Sequence, residues 1–287
     1  QKHIGKPEII KGILSADRGL IKLIMKAALP FALLVGFSTV YNRIDIVLIT
    51  KILGYTQTGL YTAAYKFFDL LAFFPAVVSH ALYPLFATLM AEGKMAEIRA
   101  TLEKYLRFMA ALAFPIGVGG SILATQIIGI LSPDYASAAP VLAVLVWAPS
   151  ILFMYIVVNS LVISQLTKFA MIITGVNVAI NLIGNIILLP RIGIIGAAIM
   201  TLASEFLQGL FYFYFVRKKI TDFRFFSLIW KPILASLVMG AVVWFVKDSI
   251  FIAVPVGVIV YGLALVVLRF FKSDDIGYIK TLFSRAV

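Results

Sequence analysis

TVYNRIDIVLI, residues 39–49, sets Arg43 and Asp45 inside an apolar run long enough to cross a bilayer. A charged side chain at the centre of a membrane helix costs about 3 kcal/mol on insertion scales. Two such residues, one of each sign, need a partner or a water-filled path. The reading of the whole chain turns on which of these they have.

The rest of the composition says that the run is a membrane segment. Of 287 residues 62% are hydrophobic and 13% charged, and the mean hydropathy is +1.04. Soluble domains are about 45–50% apolar and about 25% charged. The excess of apolar surface is more than a buried core absorbs, and a bilayer accommodates it. There is no cysteine, which excludes disulfides, thiolate metal sites and a catalytic thiol. His3 and His80 are the only histidines, so zinc or triad chemistry has little to work with.

Hydropathy marks eight spans, at 27–50, 57–88, 106–131, 137–164, 168–189, 193–216, 230–247 and 250–270. Barrel strands alternate over about ten residues, and these runs do not, so helices are expected. Lys and Arg set the orientation. One side collects the cations of 1–26, Lys94, Arg99, Lys104, Arg107, Lys168, the RKK of 217–219, Arg224, Lys231 and the C-terminal cations. Lys51, Arg191 and Lys247 fall opposite. The net charge of +12 is therefore topological. It points to no nucleic acid, and it places both termini in the cytoplasm. The second span would run about 50 Å against a core of about 30 Å. A bend at Pro75 or Pro84 is expected, with AEGKMAEIRATLEKYLR continuing it as a solvated surface helix.

Polar residues inside the spans fall into stripes at about 100° per residue. Ser38, Asn42 and Asp45 share one in the first span, with Arg43 beside it. Thr58, Thr62, Tyr65, Lys66 and Asp69 share another in the second. Counted from the short loop between them, Arg43 and Lys66 lie about 12 and about 13 Å deep. Two readings fit this cluster. Ion pairs could stitch the two helices together, or the stripes could wall a polar cavity that meets an ionic substrate or coupling ion. Thr174, Asn177, Asn181 and Asn185 stripe the fifth span, for which interhelical hydrogen bonding is the simpler reading. Thr201, Ser204, Glu205, Gln208 and Tyr212 stripe the sixth, where Glu205 suits cavity lining or proton coupling as well as a structural role. His80 reads as interfacial.

No GxxxxGK[ST] loop, HExxH or GxSxG motif occurs, and the loops are too short for a catalytic domain. The chain reads as no enzyme, with no cofactor and no metal site.

Three patches carry a family resemblance. NIILLPRIGIIGAAIMTLASE, 185–205, resembles the eleventh-to-twelfth helix junction of polysaccharide flippases, with Pro190, Gly193, Gly196, Ala197 and Ala198 in the matching places. There Pro190 is expected to end one helix and Gly193 to make the turn. Tyr41, Arg43 and Asp45, then Gly59, Tyr61, Ala63, Ala64 and Lys66, resemble the seventh and eighth helices. YGLALVVLRFFKSDDIGYIKTLF resembles the last helix and tail.

The resemblance is to the multidrug/oligosaccharidyl-lipid/polysaccharide (MOP) exporter superfamily. It implies an all-α integral membrane protein of eight transmembrane helices. Residues 1–26 would link two lobes, 27–216 would form the six-helix C-terminal lobe, 217–229 a cytoplasmic loop, 230–270 two additional helices, and 271–287 a cytoplasmic tail. The first lobe, expected to precede Gln1, would be the partner of this one. The implied activity is the flipping of lipid-linked oligosaccharide diphosphates across the plasma membrane by alternating access. Arg43 and Lys66, with Asn42, would meet the anionic substrate. Asp45 and Asp69 would hold those cations or take part in ion coupling, and Tyr61 and Tyr65 would stack on sugars. Asn177, Asn181, Glu205 and Gln208 would line the cavity or couple ions. A cation-coupled drug exporter and a non-transporting scaffold of glycan assembly are the alternatives.

Overall fold

The computed structural model describes residues 18–271, which form helices joined by short turns and, among the described residues, no strand. In chain order these are α1 (Arg18–Leu53), α2 (Tyr55–Ala91), α3 (Met95–Ile122), α4 (Ala124–Leu131), a 3₁₀ turn (Pro133–Ala138), α5 (Ala139–Leu145), α6 (Trp147–Ile192), α7 (Ile194–Lys219), α8 (Phe225–Val246) and α9 (Ile250–Val267). Residues 18–26, expected in the linker, are helical and continuous with the first span. The remainder of the linker and nearly all of the tail lie outside the described residues.

α6 is two limbs. Leu166 leaves helical geometry at φ −136°, ψ 46°. Tyr155 before it lies 5.8 Å, ring to ring, from Tyr212, and Thr174 after it lies 3.4 Å from the Tyr212 hydroxyl. The two limbs therefore fold back on one another. With that break the described residues contain eight helices long and apolar enough to cross a membrane, among them Pro133–Ile163 and Leu166–Ile192. The protein is a multi-pass membrane protein.

The turns show why these helices end where they do. Gly54 (φ 84°) turns α1 into α2, and Gly93 (φ 69°) turns α2 into α3. These are left-handed conformations in which a Cβ is costly. The Gly93 turn corrects one sequence reading. AEGKMAEIRATLEKYLR does not extend α2, because α3 begins at Met95, its fifth residue. Ile98, Leu102 and Leu106 are buried there, while Arg99 pairs with Glu103 at 2.8 Å in solvent. α2 itself runs unbroken through Pro75 and Pro84.

At the next junction Pro190 does not end its helix. α6 continues to Ile192, and Gly193, at φ 65° and ψ −152°, closes it. Proline near the end of a helix removes one internal bond, whereas the Gly193 backbone is incompatible with any further turn. Gly196 follows close against Leu188, where an added Cβ would lie 2.9 Å from the Leu188 Cβ. The Gly-Ala-Ala run is fully buried, so α7 packs tightly along the second limb of α6.

α1, α2, α6 and α7 pack around a common interior, with α3 against α2 and α6. One apolar cluster, including Leu106, Val158, Leu161 and Val216, lies toward the basic side. A second, including Ile49, Leu142, Leu145 and Ala197, lies toward the other. α8 packs on α3, and α9 packs on α8. Gly240 permits the first approach, since a Cβ there would lie 2.6 Å from Val118.

Candidate functional site

Between the two apolar clusters the interior is polar. From α1, Asp45 is 6% exposed and turns inward. Tyr61 Oη of α2 donates to its carboxylate at 3.0 Å, Thr201 Oγ1 of α7 at 2.7 Å, and Asn185 Nδ2 of α6 at 2.8 Å. One buried anion thus ties four helices together through neutral donors, which is how a buried charge avoids an unmet desolvation cost.

The network continues toward the basic side. Asn185 Nδ2 also reaches Asn181 Oδ1 at 3.0 Å, Asn181 Nδ2 donates to Ser204 Oγ at 3.2 Å, and Asn177 Nδ2 donates to Gln208 Oε1 at 2.6 Å. Beside it lies a second buried carboxylate, Glu205. Tyr41 Oη of α1 donates to it at 2.9 Å, and Tyr155 Oη of α6 donates to its other oxygen. Among the described residues no three His, Asp or Glu side chains gather closely enough to hold a metal ion.

The outer faces of α1 and α2 carry the remaining polar residues. Asn42, Arg43, Lys66 and Asp69 are all exposed. Tyr65 is half-buried and stacks on Phe68 at 4.9 Å between centroids. Among the described residues no salt bridge joins Arg43 or Lys66 to Asp45 or Asp69.

The polar cluster that the stripes of the first two spans were expected to form is therefore divided between two surfaces. Asp45, Tyr61, Asn177, Asn181 and Glu205 belong to the buried seam, with Gln208 half-buried at its edge, while Asn42, Arg43, Lys66 and Asp69 face outward. This corrects two expectations. Asp45 does not hold Arg43 or Lys66, and Tyr61, fully buried with its hydroxyl on Asp45, offers no face to a sugar. Arg43 and Asp45 are two residues apart, about 200° around the helix. The reading by stripes treated that separation as one face.

Tyr155 is the participant that the sequence reading missed. It is the lone tyrosine in ILFMYIVVNSL, and no periodicity marks it. The only signal was the requirement that a buried Glu205 find donors.

Comparison with known proteins places this architecture. Residues 13–140 match the model of a family described as polysaccharide biosynthesis protein. A membrane protein of Methanocaldococcus jannaschii, MJ1068, is 24% identical over 293 residues, covering 98% of this chain and 57% of that protein. The probable flippase AglR of Haloferax volcanii is 24% identical over 228 residues, covering 78% of this chain and 48% of that one. The chain spans about half the length of the curated relatives it matches. Among solved structures, the lipid II flippase MurJ in an inward closed conformation superposes with a TM-score of 0.72 at 18% identity, over 91% of this chain and 58% of that one. A MOP superfamily transporter from Pyrococcus furiosus superposes with a TM-score of 0.51 at 16% identity, over 83% of this chain and 61% of that one. A family model and curated relatives thus liken the chain to polysaccharide-biosynthesis proteins and flippases, and its fold is like that of MurJ.

Proposed function

We propose that the chain is the C-terminal lobe of a flippase that moves lipid-linked oligosaccharide or polysaccharide precursors across the plasma membrane, with both termini cytoplasmic. Residues 27–216 form the lobe and 230–270 the accessory pair. The observation that carries this reading is the outward placement of Arg43 and Lys66. Two cations stand exposed within membrane spans, with no carboxylate within salt-bridge reach among the described residues. Such a face suits contact with an anionic diphosphate across a water-filled path. Asn42, Asp69 and Tyr65 would complete it, and a second lobe would form the opposite wall. The buried seam would hold the lobe rigid while the two lobes rock between inward and outward openings.

Arg43→Gln and Lys66→Gln in the full-length transporter test this reading. Each should reduce export of the lipid-linked glycan at least tenfold at unchanged membrane level, with Arg43→Lys partly restoring it. Normal export in both variants contradicts the proposal.

The seam favours a second reading. Asp45 and Glu205 are buried carboxyl groups inside membrane spans, the kind of residue that serves proton relays in transporters. A cation-coupled exporter would therefore lose transport in Asp45→Asn while tolerating Arg43→Gln.

A further inference from the structure

The accessory pair carries a feature unrelated to the face of α1 and α2. At the Lys- and Arg-rich end, α9 stops at Val267 and the chain turns through Arg269, which has φ 50°. A non-glycine residue there costs about 1–2 kcal/mol and persists when its surroundings impose it. Two contacts impose it here. Lys231 Nζ of α8 donates to the Arg269 carbonyl at 2.8 Å, and Phe270 turns back into a buried cluster with Ala235 and Leu265. The Phe270 ring meets Phe108 edge-on at 6.3 Å. Arg107, only 9% exposed, holds its guanidinium 5.3 Å from the Phe108 centroid and 5.8 Å from that of Phe270.

The strained turn therefore brings Lys231 of α8, Arg269 just beyond α9 and Arg107 of α3 close to one another. The Arg269 side chain is exposed, and Lys231 Nζ lies 5.6 Å from the ring of the exposed Trp230. Tryptophan beside basic residues at a helix end marks the headgroup level of a bilayer. Among the described residues no salt bridge joins Lys231 or Arg269 to a carboxylate.

We propose that Lys231 and Arg269 form a binding site for the phosphate of an anionic phospholipid, with Arg107 and the two phenylalanines as its rigid floor. Bound there, the lipid fastens the α8–α9 pair to α3. Basic pockets between helices at this level bind acidic headgroups, each cation contributing about 1 kcal/mol. The proposal does not depend on the transport reading.

The test uses the whole chain with Trp147→Phe and Trp244→Phe, so that Trp230 alone reports. It is reconstituted in vesicles containing brominated phosphatidylglycerol or brominated phosphatidylcholine. Trp230 should be quenched more strongly by the acidic lipid, and inorganic phosphate should not relieve the quenching. Lys231→Gln and Arg269→Gln should each weaken the preference roughly fivefold, whereas Lys231→Arg and Arg269→Lys should keep it. Native mass spectrometry of the chain with all tryptophans intact should show the same retained lipid. Equal quenching by both lipids, or a preference that survives loss of both cations, overturns the proposal. Relief by inorganic phosphate would show a free-anion site instead. A preference seen only after Asp274→Asn and Asp275→Asn would make the chain's own tail the occupant, and would equally overturn it.

Discussion

Arg43 and Asp45 stand two residues apart on α1 and face opposite environments. The guanidinium is exposed, whereas the carboxylate takes hydrogen bonds from Tyr61, Thr201 and Asn185. The apparent ion pair of TVYNRIDIVLI is thus a division of labour between an inner structural contact and an outer polar face.

That division should appear as an asymmetry in stability. Asp45→Leu removes three interhelical hydrogen bonds, from donors on α2, α6 and α7. At about 0.6 kcal/mol per interhelical bond in membranes the loss is about 2 kcal/mol. Arg43→Leu should change stability by about 0.5 kcal/mol or less. Thermal unfolding in detergent of the two variants, side by side, checks the contrast.

Gly193 should tolerate no side chain. Its φ of 65° and ψ of −152° fall where essentially only glycine is found, at a cost of about 1–3 kcal/mol for other residues. Gly193→Ala should lower the unfolding temperature. Gly59→Ala, on the second helix with open space around it, should leave it unchanged or raise it.

The accessory pair should detach through Gly240. A Cβ there would meet Val118 at 2.6 Å and Ile122 at 3.3 Å, so Gly240→Val overpacks the seam by about 1–3 kcal/mol. A disulfide engineered between positions 118 and 240 of otherwise unsubstituted helices should form readily. Cysteines placed at 118 and 239 should cross-link more slowly with Gly240→Val than without it.

The turn between α7 and α8 should respond to acid. Arg217 donates to Asp222 at 2.9 Å and holds its carboxyl below the ordinary 3.8. A lowered carboxyl stabilises the fold above the unfolded value, and the contribution is lost as pH falls through the lower, folded one. Amide exchange at Thr221–Phe223 should therefore rise below about pH 4 relative to neighbouring turns. Asp222→Asn should remove that pH response. Exposure and solvent screening keep the effect local.

Most of the fold was legible because composition and charge asymmetry act over whole spans. Eight apolar runs and a one-sided distribution of Lys and Arg survive errors of several residues. The break at Leu166 was legible as the gap between the spans 137–164 and 168–189, whereas the break at Leu123 falls inside the expected span 106–131 and carries neither glycine nor proline. The site was half legible for a related reason. Periodicity identifies Asp45 and Arg43 as polar positions, but α1 has polar neighbours in two directions. Only the positions of Tyr61, Asn185 and Thr201 decide which way the carboxylate faces. Asn181 and Asn185 read correctly as interhelical hydrogen-bonding residues, because amides spaced by one turn have few other uses inside a membrane.

The central claim is that the face bearing Asn42, Arg43, Lys66 and Asp69 meets water while the Asp45–Glu205 seam does not. The chain has no native cysteine, so single cysteines at 42, 66, 69, 45 and 205 report cleanly on labelling by a membrane-impermeant maleimide in sealed vesicles. The account predicts rapid labelling at 42, 66 and 69, and labelling at 45 and 205 only after denaturation. Protection at all five positions, or reactivity at 45 matching that at 66, would contradict it.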